Sequence, residues 1–322
     1  MLTAARYLFL ASALALAGLA CAQGSYPDKS VRLIVPYAPG GPTDLLARVL
    51  GRKLGDRLGQ QFVIDNRPGA GTVIGSQIVA SANPDGYTLL MAATPMGVNP
   101  ALLGKLPYDT LRDFQAVAFV AFSPVILVAH PSVAAKTPQE LIAAAKAKPN
   151  GFSVGTPGNG SMGHLTLALL NRQAGLDMLH VPYKGASQAL SDLMGGHVQL
   201  MFDNVGTAKP NVLGGRTRAI AVAAASRSAA LPNVPTFDEA GLKGFEASSW
   251  FALFAPAKTP PAVIAKLNSE VAAALATPEL KELFARDGYE AGPASSAELT
   301  AFLRVQIDKW GKLIEQAKIK AD

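Results

Sequence analysis

Two glycine-rich stretches hold most of the residues that could do chemistry. The first is Pro39-Gly40-Gly41-Pro42-Thr43-Asp44. The second is Gly155-Thr156-Pro157-Gly158-Asn159-Gly160-Ser161-Met162-Gly163-His164. Each follows a short apolar run and precedes a helix-periodic one, so each is expected at the carboxyl end of a strand and the amino end of a helix. Glycines there let backbone N–H groups approach a ligand, and the helix dipole favours negative charge at that end. Neither stretch contains Lys or Arg, so an anion would be held by amides, hydroxyls and water. Asp44 would repel such an anion unless it faces inward and caps its helix, where an acid contributes about 0.3–1 kcal/mol. The residues alone leave both readings open.

Other chemistries fit less well. Gly158-x-Gly160-x-x-Gly163 satisfies the glycine spacing of a dinucleotide fingerprint, but Asp177 precedes the next apolar run instead of ending it. Ser161 occupies a strand-to-helix turn, yet a nucleophile elbow needs glycine two residues earlier, where Asn159 stands. An exported hydrolase using Ser161 is therefore the weaker alternative. His130, His164, His180 and His197 offer no triad order and no i, i+3 or i, i+4 pair for a metal. The expectation is no catalytic residue, no metal and no cofactor.

The elements that must position these loops follow from periodicity. Apolar runs at 31–35, 61–65 and 87–91 read as strands, separated by helices starting at Pro42 and covering 71–82. This β-α-β-α-β order implies a parallel sheet with right-handed crossovers. A second series has strands at 123–130, 152–156, 178–182, 198–202 and 219–223, with helices at 137–146, 164–173 and 186–194. Thr137-Pro138-Gln139-Glu140 is a capping box for the first of these helices. A strand at 250–255 and helices at 261–276, 279–286 and 296–317 complete the chain. Two α/β units with two chain crossings, near 123–130 and between 219 and 255, would make a hinged cleft. Open α/β sheets bind ligands in such crevices, at their strands' carboxyl ends.

Composition bounds the rest. The chain has 322 residues, 49% hydrophobic and 16% charged, which excludes disorder and suffices for two lobes of about 150 residues. A single cysteine, Cys21, excludes a disulfide framework. The +6 charge is spread over scattered cations with only 7% aromatics, so nucleic acid is not an expected partner. Residues 1–22 read as a secretory signal, with Arg6 as the positive start, an uncharged Leu/Ala-rich stretch, and Ala20-Cys21-Ala22 at the cleavage site. Cleavage after Ala22 would put a cysteine-free chain in the periplasm. The alternative is lipid anchoring at Cys21, although Gly18 stands where such signals usually carry leucine.

Residues 39–48 (PGGPTDLLAR) resemble the signature of the Bug family of extracytoplasmic solute receptors, of the tripartite tricarboxylate transport type. So do Asn66-Arg67-Pro68-Gly69-Ala70-Gly71, Asp85-Gly86-Tyr87-Thr88, Leu106-Pro107-Tyr108-Asp109, residues 155–164, His180-Val181-Pro182-Tyr183-Lys184-Gly185 and Leu231-Pro232-Asn233-Val234-Pro235-Thr236. The resemblance runs in order along the whole mature chain. It implies an α/β fold of the two-lobed, type II periplasmic-binding-protein kind, with residues 26–124 and 241–322 as one lobe and 125–240 as the other. It also implies that the two glycine-rich loops pinch a small carboxylated solute, an organic acid or amino acid, partly through water. The binding residues it implies on the first lobe are Tyr37, Gly40, Gly41, Thr43, Asp44, Thr94, Pro95 and Met96. On the second they are Thr156, Asn159, Gly160, Ser161, His164, Tyr183 and Asp203. Expected partners are the permease subunits of such a transporter, served by a monomeric receptor, or alternatively a membrane regulator served by a ligand sensor. On this reading Asp44→Ala and Ser161→Ala each weaken binding without disturbing the fold.

Overall fold

The computed structural model describes residues 26–292, 295–317 and 319. The expected export segment, with Cys21, lies outside the described residues. In the first unit, β1 (Val31–Val35), β2 (Phe62–Asn66) and β3 (Thr88–Ala93) are parallel, in the order β2-β1-β3. Helices α1 (Pro42–Leu58) and α2 (Val73–Ala80) make the crossovers, and α3 (Pro95–Leu102) follows β3. The expected β-α-β-α-β arrangement is present, with boundaries shifted by one or two residues.

The start and end of α1 follow from its sequence. Gly41 is its N-cap, Pro42 its first helical residue, and Gly59 ends it with φ 71°. Leu46, Leu50 and Leu54 pack against Val31, Leu33 and Leu89 of the sheet. The opposite face carries Arg52, Lys53 and Arg57, which pair with Glu279 and Glu270. Part of the positive balance is thus spent on exposed pairs between helices.

β4 (Phe114–Ala129) is twice as long as expected, and its extra half explains how the lobes join. Its first part pairs antiparallel with β9 (Ser248–Pro256), which pairs with β3. Its last part, Val125–Ala129, pairs antiparallel with β7 (Leu200–Asn204) and β8 (Arg218–Ala223). The second sheet continues through β5 (Ser153–Thr156) to β6 (Leu179–Pro182), both parallel to β7. Helices α4 (Pro138–Ala147), α5 (Met162–Ala174), α6 (Ala186–Met194) and α7 (Val205–Leu213) pack on this second unit. The chain returns beside β4: Ala247 donates to Ala223 O and Val125 donates to Ala247 O, and Ser249 opposes Ser123. Helices α8 (Pro261–Leu275), α9 (Pro278–Asp287) and α10 (Ser296–Ala317) complete the chain.

Candidate functional site: a closed cavity ringed by helix N-termini

Between the two sheets lies a small cavity of about 30 Å³. Five helices begin at its wall. Gly41, Pro42 and Thr43 come from α1, Thr94 and Pro95 from α3, Ser161, Met162 and Gly163 from α5, Ala186 from α6, and Asp203 and Asn204 from the start of α7. Each helix follows a strand or a short loop from one, so the sheets' carboxyl ends bring the five positive dipole ends to one place. Val125, Phe202 and Phe251 add apolar surface, Tyr37 and Ser249 add hydroxyls, and among the described residues no Lys or Arg lies on the wall. Burial pushes the Tyr37 phenol well above its usual range, so it is a neutral donor. The helix starts put backbone N–H donors around the cavity without a cation, which suits an anion held by amides and hydroxyls, while Asp203 stands on the same wall as an acid.

The residues expected at the site separate into a wall and its supports. Tyr37, Gly41, Thr43, Thr94, Pro95, Ser161 and Asp203 line the cavity. Asn159 and Tyr183 line an adjoining pocket that shares Tyr37, Pro95 and Ser161. Met96 is buried in the core behind β3 and β9. Gly40 and Asp44 stand behind the first loop: Asp44 accepts from Gly40 N–H at 2.9 Å, Arg48 Nε at 2.9 Å and Asn66 Nδ2 at 3.0 Å. Burial alone would raise its pKa, but these donors outweigh burial and hold the carboxyl below its usual range. Of the two readings the sequence left open for Asp44, the inward one is the geometry observed, with the loop amide of Gly40 as partner instead of a first-turn cap.

The second loop is supported in the same way. Ser161 caps α5, its hydroxyl accepting His164 N–H at 3.3 Å. His164 Nδ1 accepts Gly160 N–H at 3.2 Å, and its ring stacks on His180 with centroids 4.0 Å apart and planes within 6°. Thr156 Oγ1 lies 2.7 Å from His180 Nε2. His164 and Thr156 therefore fix the loop's shape from behind, and Ser161 Oγ does the work of an N-cap. Gly160 has φ +72° and abuts α3 of the facing lobe, where a Cβ would lie 2.8 Å from Asn99 Oδ1. The lobes also meet through Ser187 Oγ, which donates to Pro39 O at 2.8 Å, and Ala38 N–H, which donates to Lys184 O at 3.3 Å. The cleft is closed.

Asn204, Ser249, Phe202, Phe251 and Ala186 are wall residues that the sequence reading did not single out. Ala186 could have been found as the first residue of a helix after Gly185. Phe202, Ser249 and Phe251 lie inside strands, where nothing local says which face meets a ligand. Asn204 stands at the N-cap position of α7, a helix that was not expected, and makes no side-chain cap.

Two α/β units joined by adjacent strands, closing on a cavity ringed by helix N-termini, define a solute receptor of the periplasmic-binding-protein class. The sequence matches the Tripartite tricarboxylate transporter family receptor, TctC, over residues 46–319, and the chain belongs to that family. Three solved structures resemble it throughout. The periplasmic binding protein BugD is 34% identical, with TM-score 0.88, covering 92% of this chain and 99% of its own. Rpa4515 of R. palustris with adipate is 34% identical, with TM-score 0.89 and coverage of 92% and 99%. MatC of Rhodopseudomonas palustris with bound malate is 33% identical, with TM-score 0.86 and coverage of 90% and 100%. The family is one of extracytoplasmic, substrate-binding receptors that work with transporter components.

Proposed function

We propose that this chain is a periplasmic receptor that captures a small carboxylate in the inter-lobe cavity and delivers it, without catalysis, to the membrane permease subunits of a tripartite tricarboxylate-type transporter. The observation that carries the reading is the ring of five helix N-termini around a wall on which, among the described residues, there is no Lys or Arg. A carboxylate on those amides gains charge-assisted hydrogen bonds without a buried lysine that would stand unpaired when the site is empty. Micromolar affinity asks for only about 8 kcal/mol, within reach of several such bonds. The binding of adipate and malate by two relatives supports a carboxylate here.

Residues 1–22 direct export on this reading, and the mature protein acts as a monomer. The lobes, proposed as 26–124 with 241–322 and 125–240, move about the two adjacent strands where β4 passes between sheets and β9 begins. The test is a thermal-shift and calorimetric panel of mono-, di- and tricarboxylates on protein unfolded, dialysed and refolded to remove any copurifying acid. A carboxylate that binds one to one and raises the melting temperature is the expected result. A panel with no response, or turnover of an ester or amide by the purified protein, would overturn the reading.

A further inference from the structure

The cavity is not uniformly a donor site. Asp203 is 2% exposed and Asn204 5%. Asp203 Oδ1 accepts from Asn204 N–H at 2.8 Å and from Thr207 Oγ1 at 2.7 Å. Its other oxygen, Oδ2, is buried and has no partner, and so is Asn204 Oδ1 beside it. Thr94 Oγ1, across the cavity on the other lobe, is also buried and unpartnered. Buried polar atoms are ordinarily paired, and among the described residues no lysine or arginine lies on the wall to pair with these.

We infer that the bound acid presents a hydrogen-bond donor to Asp203 Oδ2 and Asn204 Oδ1, so that the receptor selects carboxylates bearing a hydroxyl or ammonium group over the same acids without one. This rests on the carboxylate reading above and names the ligand class within it. Asp203 decides the matter whichever way round the Asn204 amide is placed, because an ionised carboxylate has acceptors only. Burial raises the Asp203 pKa to about 6, so at neutral pH the group is largely ionised. A carboxylate end of the ligand therefore belongs on the amide side of the cavity. The substituent belongs against Asp203, where a bare methylene would leave the buried oxygen unpaired. Sites built to hydrogen-bond a ligand group reject analogues lacking it far more strongly than apolar pockets reject a missing methylene. The two ligand-bound relatives hold one acid of each kind, malate with a hydroxyl and adipate without, so the family itself does not decide.

Succinate, malate and aspartate share a four-carbon diacid chain and differ only in bearing hydrogen, hydroxyl or ammonium. Calorimetric titration of the refolded protein at neutral pH is expected to give malate or aspartate at least tenfold tighter than succinate. In Asp203→Asn the preference shrinks to within about threefold, because the amide nitrogen supplies a donor where Oδ2 supplied an acceptor. Equal affinity for all three acids in the wild type overturns the inference and leaves the carboxylate reading standing, so the inference stays testable even if the variant fails to fold. Adipate binding where none of the three C4 acids does also overturns it. A failure of every carboxylate would overturn the carboxylate reading itself.

Discussion

Asp44 and Asp203 are both buried acids beside the cavity, but their surroundings give them opposite roles. Asp44 has a donor on each oxygen, from Gly40, Arg48 and Asn66, and its carboxyl is held below the usual range. It stabilises the fold at neutral pH, and that contribution disappears as pH falls through and below about 4. Asp44→Ala leaves three donors without their acceptor, so chemical denaturation should show a loss of about 1–3 kcal/mol. This departs from the expectation of an undisturbed fold, because the side chain supports the loop instead of facing the ligand. Asp203 has the reverse sign: burial raises its folded pKa to about 6, above the usual carboxylate range at about 4. The folded state then binds more protons between those values, so this group's effect on stability becomes unfavourable as pH rises from about 4 to about 6. The phenol of Tyr289, kept neutral by burial, lies close enough to feel the charge of Asp203. Asp203→Asn removes the buried charge and should raise the stability of the empty protein more at neutral pH than at about pH 4, as read from melts across pH. Stability gained where ligand selectivity is lost would mark Asp203 as retained for binding.

At the scale of elements, the two loops were legible because glycine and proline mark the passage from strand to helix, and periodicity located the helices on either side. Helices α3 and α7 were not, and each contains a proline, Pro100 and Pro210. A proline in a helix interior removes a donor and reads as a stop, yet here tertiary packing keeps both helices intact. The first half of β4 was missed as well, since its run of alanine and phenylalanine does not say where one sheet ends and the next begins. The Gly160 loop gives a prediction at this scale. A Cβ there would meet Asn99 of α3 and would sit at φ +72°. Gly160→Ala should therefore weaken ligand binding about tenfold or more by opposing closure, with faster release in stopped-flow measurements. Ser187→Ala removes one hydrogen bond to Pro39 O and should weaken binding about two- to tenfold with an unchanged melting temperature of the empty, open protein. Unchanged affinity in both variants would separate lobe contact from ligand capture.

For the whole molecule, the two α/β series, the expected export segment and the absence of clustered cations in the sequence were enough to expect a two-lobed receptor, and the family resemblance added the carboxylate. The geometry of the wall could not be read that way, because it is assembled from five helix starts brought together by two sheets and a shared strand. The surplus of cations lies elsewhere: Arg52, Lys53 and Arg57 pair with acids of α8 and α9, and no cation among the described residues lines the cavity. This separates two ways of holding an acid. Amides and hydroxyls in a closed cavity are shielded from salt, whereas attraction to exposed cations is screened within about 10 Å at moderate ionic strength. Titration of the refolded protein with malate at low and high salt tests that distinction most directly. One-to-one binding at micromolar or tighter affinity, changing by less than about threefold with salt, is the predicted result. Absence of binding, or affinity that collapses as salt rises, would contradict it.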